Sequence, residues 1–281
     1  CLVSFENMRQ GGVLEPVDDY KRNTFRVNAD FIPSDDFTAS FSGSYINVET
    51  PDFSGEEQGQ GDNYFYSVLT SEPFLDMTQR SEDGSFSNNP TGYAVQSSNW
   101  QNPLYVAQNR DYSFDRDRII AGLNLKYDLA EWISVNARQS LDKSYLQREQ
   151  FFPFLYQTPT PDATVNDGYE WRRATQNSTA VSEFWFEASQ SYEDFNVRAI
   201  AKYLYENRSY EWFEAEGSEY VTQGIRDIGS LANDTYGIDS YQEDIRAENF
   251  FLNLDVDYQD KIIASGLIRR DGSSLFGSEE R

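Results

Sequence analysis

Apolar and polar residues alternate strictly in four stretches of the chain, each folded back across a short polar turn. Phe25, Val27, Ala29 and Phe31 fall on one side of an extended segment, with Thr24, Arg26, Asn28 and Asp30 on the other. A period of two sends successive side chains to opposite faces, so the segment reads as a strand. Pro33 to Asp36 then turns the chain, and Phe37, Ala39, Phe41, Gly43 and Tyr45 return opposite Thr38, Ser40, Ser42 and Ser44. Proline and short polar side chains are turn residues by backbone preference and local hydrogen bonding. A second hairpin runs through Ile119, Ala121, Leu123, Leu125 and Tyr127, turns at Asp128 to Glu131, and returns through Ile133, Val135 and Ala137. A third joins Phe184, Phe186 and Ala188 to Val197, Ala199, Ala201, Tyr203 and Tyr205 around Glu193-Asp194. The fourth spans Phe250 to Tyr258 and Lys261 to Arg270. In its last strand Ile262, Ala264 and Ile268 share one face while Ile263 and Leu267 occupy the other. A half-strand at CLVSFEN brings the count to about nine.

The connections alternate in length. One end of every hairpin has two to four residues, whereas the other has roughly 30 to 65, in polar segments near 48–113, 148–177 and 211–245. Short turns at one end and long loops at the other are the asymmetry of outer-membrane barrels. Aromatics gather at the short turns: Phe31 and Phe37, Tyr127 and Trp132, Tyr192 and Phe195, and Tyr258. Aromatic rings favour the headgroup level of a bilayer, so one membrane interface explains them together. None of the apolar-face positions is charged, as lipid contact requires. A soluble β-sandwich alternates too but predicts neither one-sided loops nor aromatics collected at one end. The expected fold is therefore all-β, a partial transmembrane, antiparallel, up-and-down barrel. Nine polar-lined strands would leave open edges, so residues 1–281 are expected to be an interior segment of one larger barrel domain.

Composition narrows function further. The 23 Lys and Arg face 47 Asp and Glu, a net charge of −24. Such a surface repels nucleic-acid phosphates, so no nucleic-acid partner is expected. With 20 Phe and 19 Tyr the chain is too aromatic for an acidic disordered segment. Cys1 is the single cysteine and there is no histidine. That excludes a disulfide framework, Cys/His zinc sites and any nucleophile activated by a histidine base. No run approaches the ~18 apolar residues of a membrane helix, but a barrel strand needs only about ten alternating ones.

The closing stretch, DYQDKIIASGLIRRDGSSLFGSEER, resembles the hairpin signature of SusC/RagA-like TonB-dependent transporters of Bacteroidota. Tyr258, Asp260 and Lys261 match its turn; Arg269, Arg270, Asp271, Gly272, Ser273, Ser274, Phe276 and Gly277 match its exit. Ile262 stands where an aromatic is usual. Weaker echoes are YKRNTFRVNADF (20–31) and Asn102-Pro103 ahead of a strand. The resemblance implies nutrient import through a barrel of about 22 strands closed by a plug. It implies energy from a TonB complex that engages the plug region, a SusD-like surface lipoprotein partner, outer-membrane lipid around the wall, and an oligosaccharide or peptide ligand. Siderophore or cobalamin uptake, and a non-transporting surface glycan-binding protein, are the alternatives. No motif selects a carboxylate pair for glycosidase chemistry, so no catalytic residue is assigned and the chain is read as no enzyme.

Aromatics in the long polar segments are the ligand-contact candidates: Tyr93, Trp100, Tyr105, Tyr169, Trp171 and Trp212. Sugar rings stack their C–H faces on such rings while their hydroxyls take carboxylates, amides and guanidinium groups. Two acidic groups, Glu49, Asp52, Glu56, Glu57, Asp62 and Glu211, Glu214, Glu216, Glu219, could bind calcium from loops. Their spacing matches no defined calcium loop, so they read as solvated faces and no cofactor is expected. The Arg-Asp-Gly-Ser-Ser run reads as architecture: an Arg–Asp pair locking a strand end, a glycine bend and serines capping backbone.

Overall fold

The computed structural model describes residues 1–12, 16–51, 68–69, 71–88, 90, 101–157, 164–232 and 235–276. Nine strands form one antiparallel sheet in chain order: β1 (Leu2–Gln10), β2 (Tyr20–Ser34), β3 (Phe37–Pro51), β4 (Asp111–Ala130), β5 (Ile133–Phe152), β6 (Tyr169–Tyr192), β7 (Phe195–Ser218), β8 (Gly237–Tyr258) and β9 (Ile262–Ser273). Every strand pairs with its sequence neighbours, so each connection is a hairpin. The alternation assigned the first three hairpins to the correct faces, because rows such as Phe25–Tyr45–Ile119 and Phe186–Ala201–Leu252 run continuously across the strands, and the last row places the fourth hairpin's Leu252 on the same face.

The strands outrun the pattern that announced them. β6 and β7 have 24 residues each, and β8 has 22. About half of the expected loops at 148–177 and 211–245 is therefore strand, and the connections shrink to 153–168 and 219–236. The cause is solvent. Counting from the short turns, five alternating positions on one face are apolar, as in Phe195, Val197, Ala199, Ala201 and Tyr203 of β7 or Tyr258, Val256, Leu254, Leu252 and Phe250 of β8. Beyond them the same face turns polar, through Asn207, Ser209 and Glu211 or Glu248, Arg246 and Asp244. Ten residues at about 3.3 Å each, tilted, give the ~25 Å apolar band of a barrel. Above that band both faces are wet and the period-two signal disappears, while the backbone ladder continues.

This belt is exposed: Phe5, Phe31, Leu252 and Ile268 keep between 51 and 71% of their surface open. A single sheet with one apolar face needs something apolar against it. Its polar positions include Gln139, Gln190 and, fifth from the turn on β9 and opposite Phe250, Arg270. Gln139 lies opposite Ser182 and accepts that hydroxyl's hydrogen bond at 2.6 Å, so neither group is left without a partner. Aromatics also mark the belt's far edge, at Phe25, Tyr45, Phe184, Tyr203 and Phe250, a second girdle that the sequence pattern had not isolated. At the near edge the turns bond to one another, with Asp128, Ser189 and Gln259 N–H groups donating to the carbonyls of Asp36, Trp132 and Asp194, all at 2.8 Å.

The buried cluster sits at the far end, on the polar face. Phe86, Tyr105, Phe152 and Tyr156 pack together there, with Leu104, Tyr112 and Tyr169 against them. A helix, α1 (Pro103–Asn109), holds the β3–β4 connection onto this cluster. Asn102-Pro103 precedes this helix and not a strand. The Asn102 side chain accepts the Leu104 N–H at 3.0 Å, and Pro103 fills the first turn where no amide donor is needed. Asn102 is fully buried and its amide also donates to the carbonyls of Met77 and Ser87.

Candidate functional site

The polar face gathers the charged and aromatic chemistry. Nearest the short turns, Glu187 receives Arg198, at 2.7 Å. Next, Trp185 of β6 lies between Arg138 of β5 and Lys202 of β7, at 5.8 and 5.5 Å from the ring centre. Glu183 takes both cations, with Lys202 at 3.0 Å and Arg138 at 3.4 Å. Arg118 and Asp142 form a two-bond pair of 2.8 and 2.5 Å across β4 and β5. The groups come from four neighbouring strands, β4 to β7, so only the register reveals the cluster, and sequence reasoning missed it. Alternating charges on neighbouring strands let every partner reach its opposite, and they fix the side chains against the sheet.

Farther up, the wall turns aromatic. Trp171 and Trp212 both lie on the polar face, Trp171 beside Glu216 and Trp212 opposite Thr175 and Tyr241. The Arg173 guanidinium stacks 4.1 Å over the Trp212 ring and lies 3.7 Å from Glu214. Tyr210 and Tyr241 add a tilted ring pair at 6.0 Å. The Tyr169 hydroxyl donates to Glu216 at 2.7 Å, and its ring packs 5.4 Å from Phe152. Burial, then the neighbouring carboxylate, raises the Tyr169 hydroxyl above its ordinary pKa.

Of the six aromatic candidates, Trp171, Trp212 and Tyr169 thus stand on strands and not in loops, brought together at the top of the polar face. Tyr105 is different. It sits in α1, 7% exposed, its ring tilted against Tyr156 at 5.4 Å, with its hydroxyl accepting the Gln157 N–H. Its role in the structure is to hold the lobe together. Tyr93 and Trp100 lie outside the described residues, as do Asp52, Glu56, Glu57, Asp62 and Gly277. The second acidic group is split by the pleat: Glu214 and Glu216 face the polar side, Glu211 faces the other, and Glu219 follows the strand end. Among the described residues no three His, Cys, Asp or Glu side chains converge as metal ligands.

A buried polar network seats the lobe on this wall. Arg110, 3% exposed, donates to the Tyr156 hydroxyl at 2.8 Å and to Gln101 and Tyr112 at 3.2 Å, and stacks 4.3 Å over Phe152. Burial pushes the Tyr156 hydroxyl well above the usual tyrosine range, so it stays a neutral donor to Gln101 at 3.0 Å. The β7–β8 connection takes the opposite face. There Tyr220 donates to the buried Glu170 at 2.6 Å, and Arg226 stacks 4.3 Å over Phe151 while pairing with Asp111 and Glu149.

Gln259 and Asp260 both adopt positive φ, 55° and 54°, and the Lys261 N–H returns to the Tyr258 carbonyl at 3.0 Å, a two-residue turn of the primed type. Asp271 pairs with Arg269 at 2.6 Å, while Arg270 projects to the opposite face. Gly272 lies inside β9 and makes no bend. Ser274 does cap backbone: its hydroxyl accepts the Arg246 N–H at 3.0 Å and its own N–H donates to the Arg246 carbonyl.

No protein-family model matches the chain, and no curated protein matches its sequence. Solved structures do. The RagAB peptide transporter aligns over 99% of this chain with a TM-score of 0.79 at 15% identity, and the same importer in its open-open state over 98% at 0.74. BauA, the ferric preacinetobactin receptor from Acinetobacter baumannii, aligns over 98% at 0.50 and 10% identity. The chain spans 30% of the RagAB chains it matches. Identity this low speaks to fold. The fold is that of an arc of a SusC-like, TonB-dependent transporter barrel, and the open nine-stranded sheet is a partial antiparallel barrel of that kind.

Proposed function

We propose that this chain forms part of the wall of an outer-membrane importer driven through TonB, with the apolar belt against lipid and the polar face lining the passage. The observation that carries the reading is the division of the longest strands, β6, β7 and β8: ten belt residues beside the short turn, then a longer stretch that is largely polar on both faces. In a barrel, lipid faces outward, so the opposite face with Trp185, Arg118 and Arg173 looks inward. The short turns then lie on the periplasmic side and the long connections outside the cell. The RagAB likeness supports a peptide as cargo and a SusD-like lipoprotein as the surface partner. Trp171 and Trp212, presented beside Glu214 and Glu216, support a second reading in which the cargo is an oligosaccharide, since rings and carboxylates together suit a sugar. Neither reading includes a catalytic step.

Uptake decides between them. Cells carrying the full chain are given fluorescent oligopeptides and oligosaccharides of matched length, with and without a proton uncoupler. Import of one class, abolished by the uncoupler and reduced several-fold by Trp171→Ala or Trp212→Ala, is the expected result. Uptake of both classes unchanged on deleting the gene would overturn the proposal.

A further inference from the structure

The lipid-side face of β5–β8, beyond the belt, carries two abutting cavities of 370 and 260 Å³. Tyr145, Gln176, Glu211, Phe213, Ser240 and Gln242 line the larger, and Phe213 and Ala174 are common to both. Ile228, from the β7–β8 connection, lines the smaller. Phe213 is 52% exposed and Tyr145 is 39% exposed, and among the described residues neither stacks on another ring. Phe213 is an exposed ring in a polar wall, eight residues beyond Tyr205, the preceding ring on the same face of β7.

The register explains what the pair frames. Tyr145, Gln176, Glu211 and Gln242 form one cross-strand row, and Gln147, Ala174, Phe213 and Ser240 the next. Two strand spacings and one row separate the rings by roughly 12 Å, with only Ala174 and the Gln176 stem as floor between them. Gln176 donates to one Glu211 oxygen at 2.8 Å, which fixes the carboxylate and leaves its other oxygen for a hydroxyl donor. Two ring faces, carboxamides, a serine and one held carboxylate are complementary to a sugar chain. Glu211 disfavours a phosphate.

We propose that this outer groove binds a neutral saccharide chain, at a site separate from the inward wall. The placement rests on the lipid-facing reading of the belt. At about 3.3 Å per residue the groove begins roughly 13 Å beyond Leu141 along β5 and roughly 26 Å beyond Tyr203 along β7, on the side where the sugars of an outer-leaflet glycolipid would stand. Free saccharide is the other source of the same chemistry.

The full chain, purified in detergent from its native outer membrane, is titrated calorimetrically with two probes. One is the core oligosaccharide of the host's own outer-membrane glycolipid, freed of phosphate and of its acidic sugars, and the other is a dextran oligomer of equal length. Core binding is expected to weaken at least tenfold in Phe213→Ala and in Tyr145→Ala and to vanish in Ala174→Trp. Heat-resistant gel mobility confirms that each variant remains folded. Dextran binding as tight as the core, with the same sensitivity, keeps the groove and assigns it to free saccharide. Absence of binding by both probes, or binding untouched by Phe213→Ala and Ala174→Trp, overturns the groove. Uptake by the inward wall is measured separately, so the two proposals fail independently.

Discussion

β7 and β8 each run more than 20 residues without a break, yet their two halves answer to different solvents. Near the short turns, one face is wholly apolar and the other carries the Trp185 cluster. Beyond Tyr203 and Phe250 both faces are polar, and stability comes from the ladder and from lobes packed on top of it. The lesson is that strand length and membrane thickness are separate quantities: hydrogen bonding sets the first and the side-chain pattern sets the second. The sharpest way to break the comparison is one substitution made in each half. Leu254→Arg places a charge in the middle of the belt and should cost about 2–4 kcal/mol. Ser209→Arg, on the same face but beyond the belt and one strand from Asp244, should change stability by about 0.5 kcal/mol or less. Denaturant titration of the full chain refolded into phospholipid vesicles measures both. Equal costs would mean that the belt does not meet lipid.

Within the upper half, the lobe on the polar face should be the most breakable part. Arg110→Ala removes a cation bonded to Tyr156, Gln101 and Tyr112 and stacked on Phe152, leaving buried partners short of a donor. A local loss of roughly 2–3 kcal/mol follows, visible as faster amide exchange in α1 with β4–β9 unchanged. Alkali tests the same contact. The Tyr156 pKa is raised in the folded lobe, so folding retains its proton; that contribution is complete below the unfolded value of about 10 and is lost as pH rises beyond it. Tyrosinate absorbance should therefore rise together with opening of the lobe, and Tyr156→Phe should uncouple the two. Simultaneous opening of the belt would show that the halves are not independent.

The same division explains what could be read from the residues. Wherever one face met an apolar surroundings, as at Phe25 to Phe31 or Ile119 to Tyr127, burial contrast gave period, face and turn. At Thr175 to Ser182, or Asn207 to Ser218, no contrast exists, and Trp171 and Trp212 looked like loop residues. Arg138, Glu183 and Lys202 are separated by tens of residues, so nothing local ties them to Trp185; the register of β5–β7 does. α1 is another case. Asn102-Pro103 is a legible helix start on capping chemistry alone, but its likeness to a family strand entrance pointed elsewhere. Arg270 was paired with Asp271 by adjacency, whereas the pleat gives that place to Arg269, two residues away on the same face.

A smaller effect than the loss at Arg110 belongs to the turn rim, which shares the belt's backbone but none of its lipid. Gln259 and Asp260 hold positive φ without being glycine or asparagine, the residues that a primed two-residue turn favours. Asp260 tolerates the conformation, and its N–H donates to the Asp257 carboxylate at 2.9 Å, so the strain rests mainly on Gln259. Gln259→Asn combined with Asp260→Gly keeps both amide donors, including the Gln259 bond to Asp194, and relieves the strained pair. The gain should be about 0.5–1 kcal/mol, reduced by the extra backbone freedom that glycine brings to the unfolded chain. It should appear as slower unfolding in vesicles, with no change in uptake. A destabilised double variant would mean that the family-like Asp260 contributes more through its side chain than its backbone strain removes.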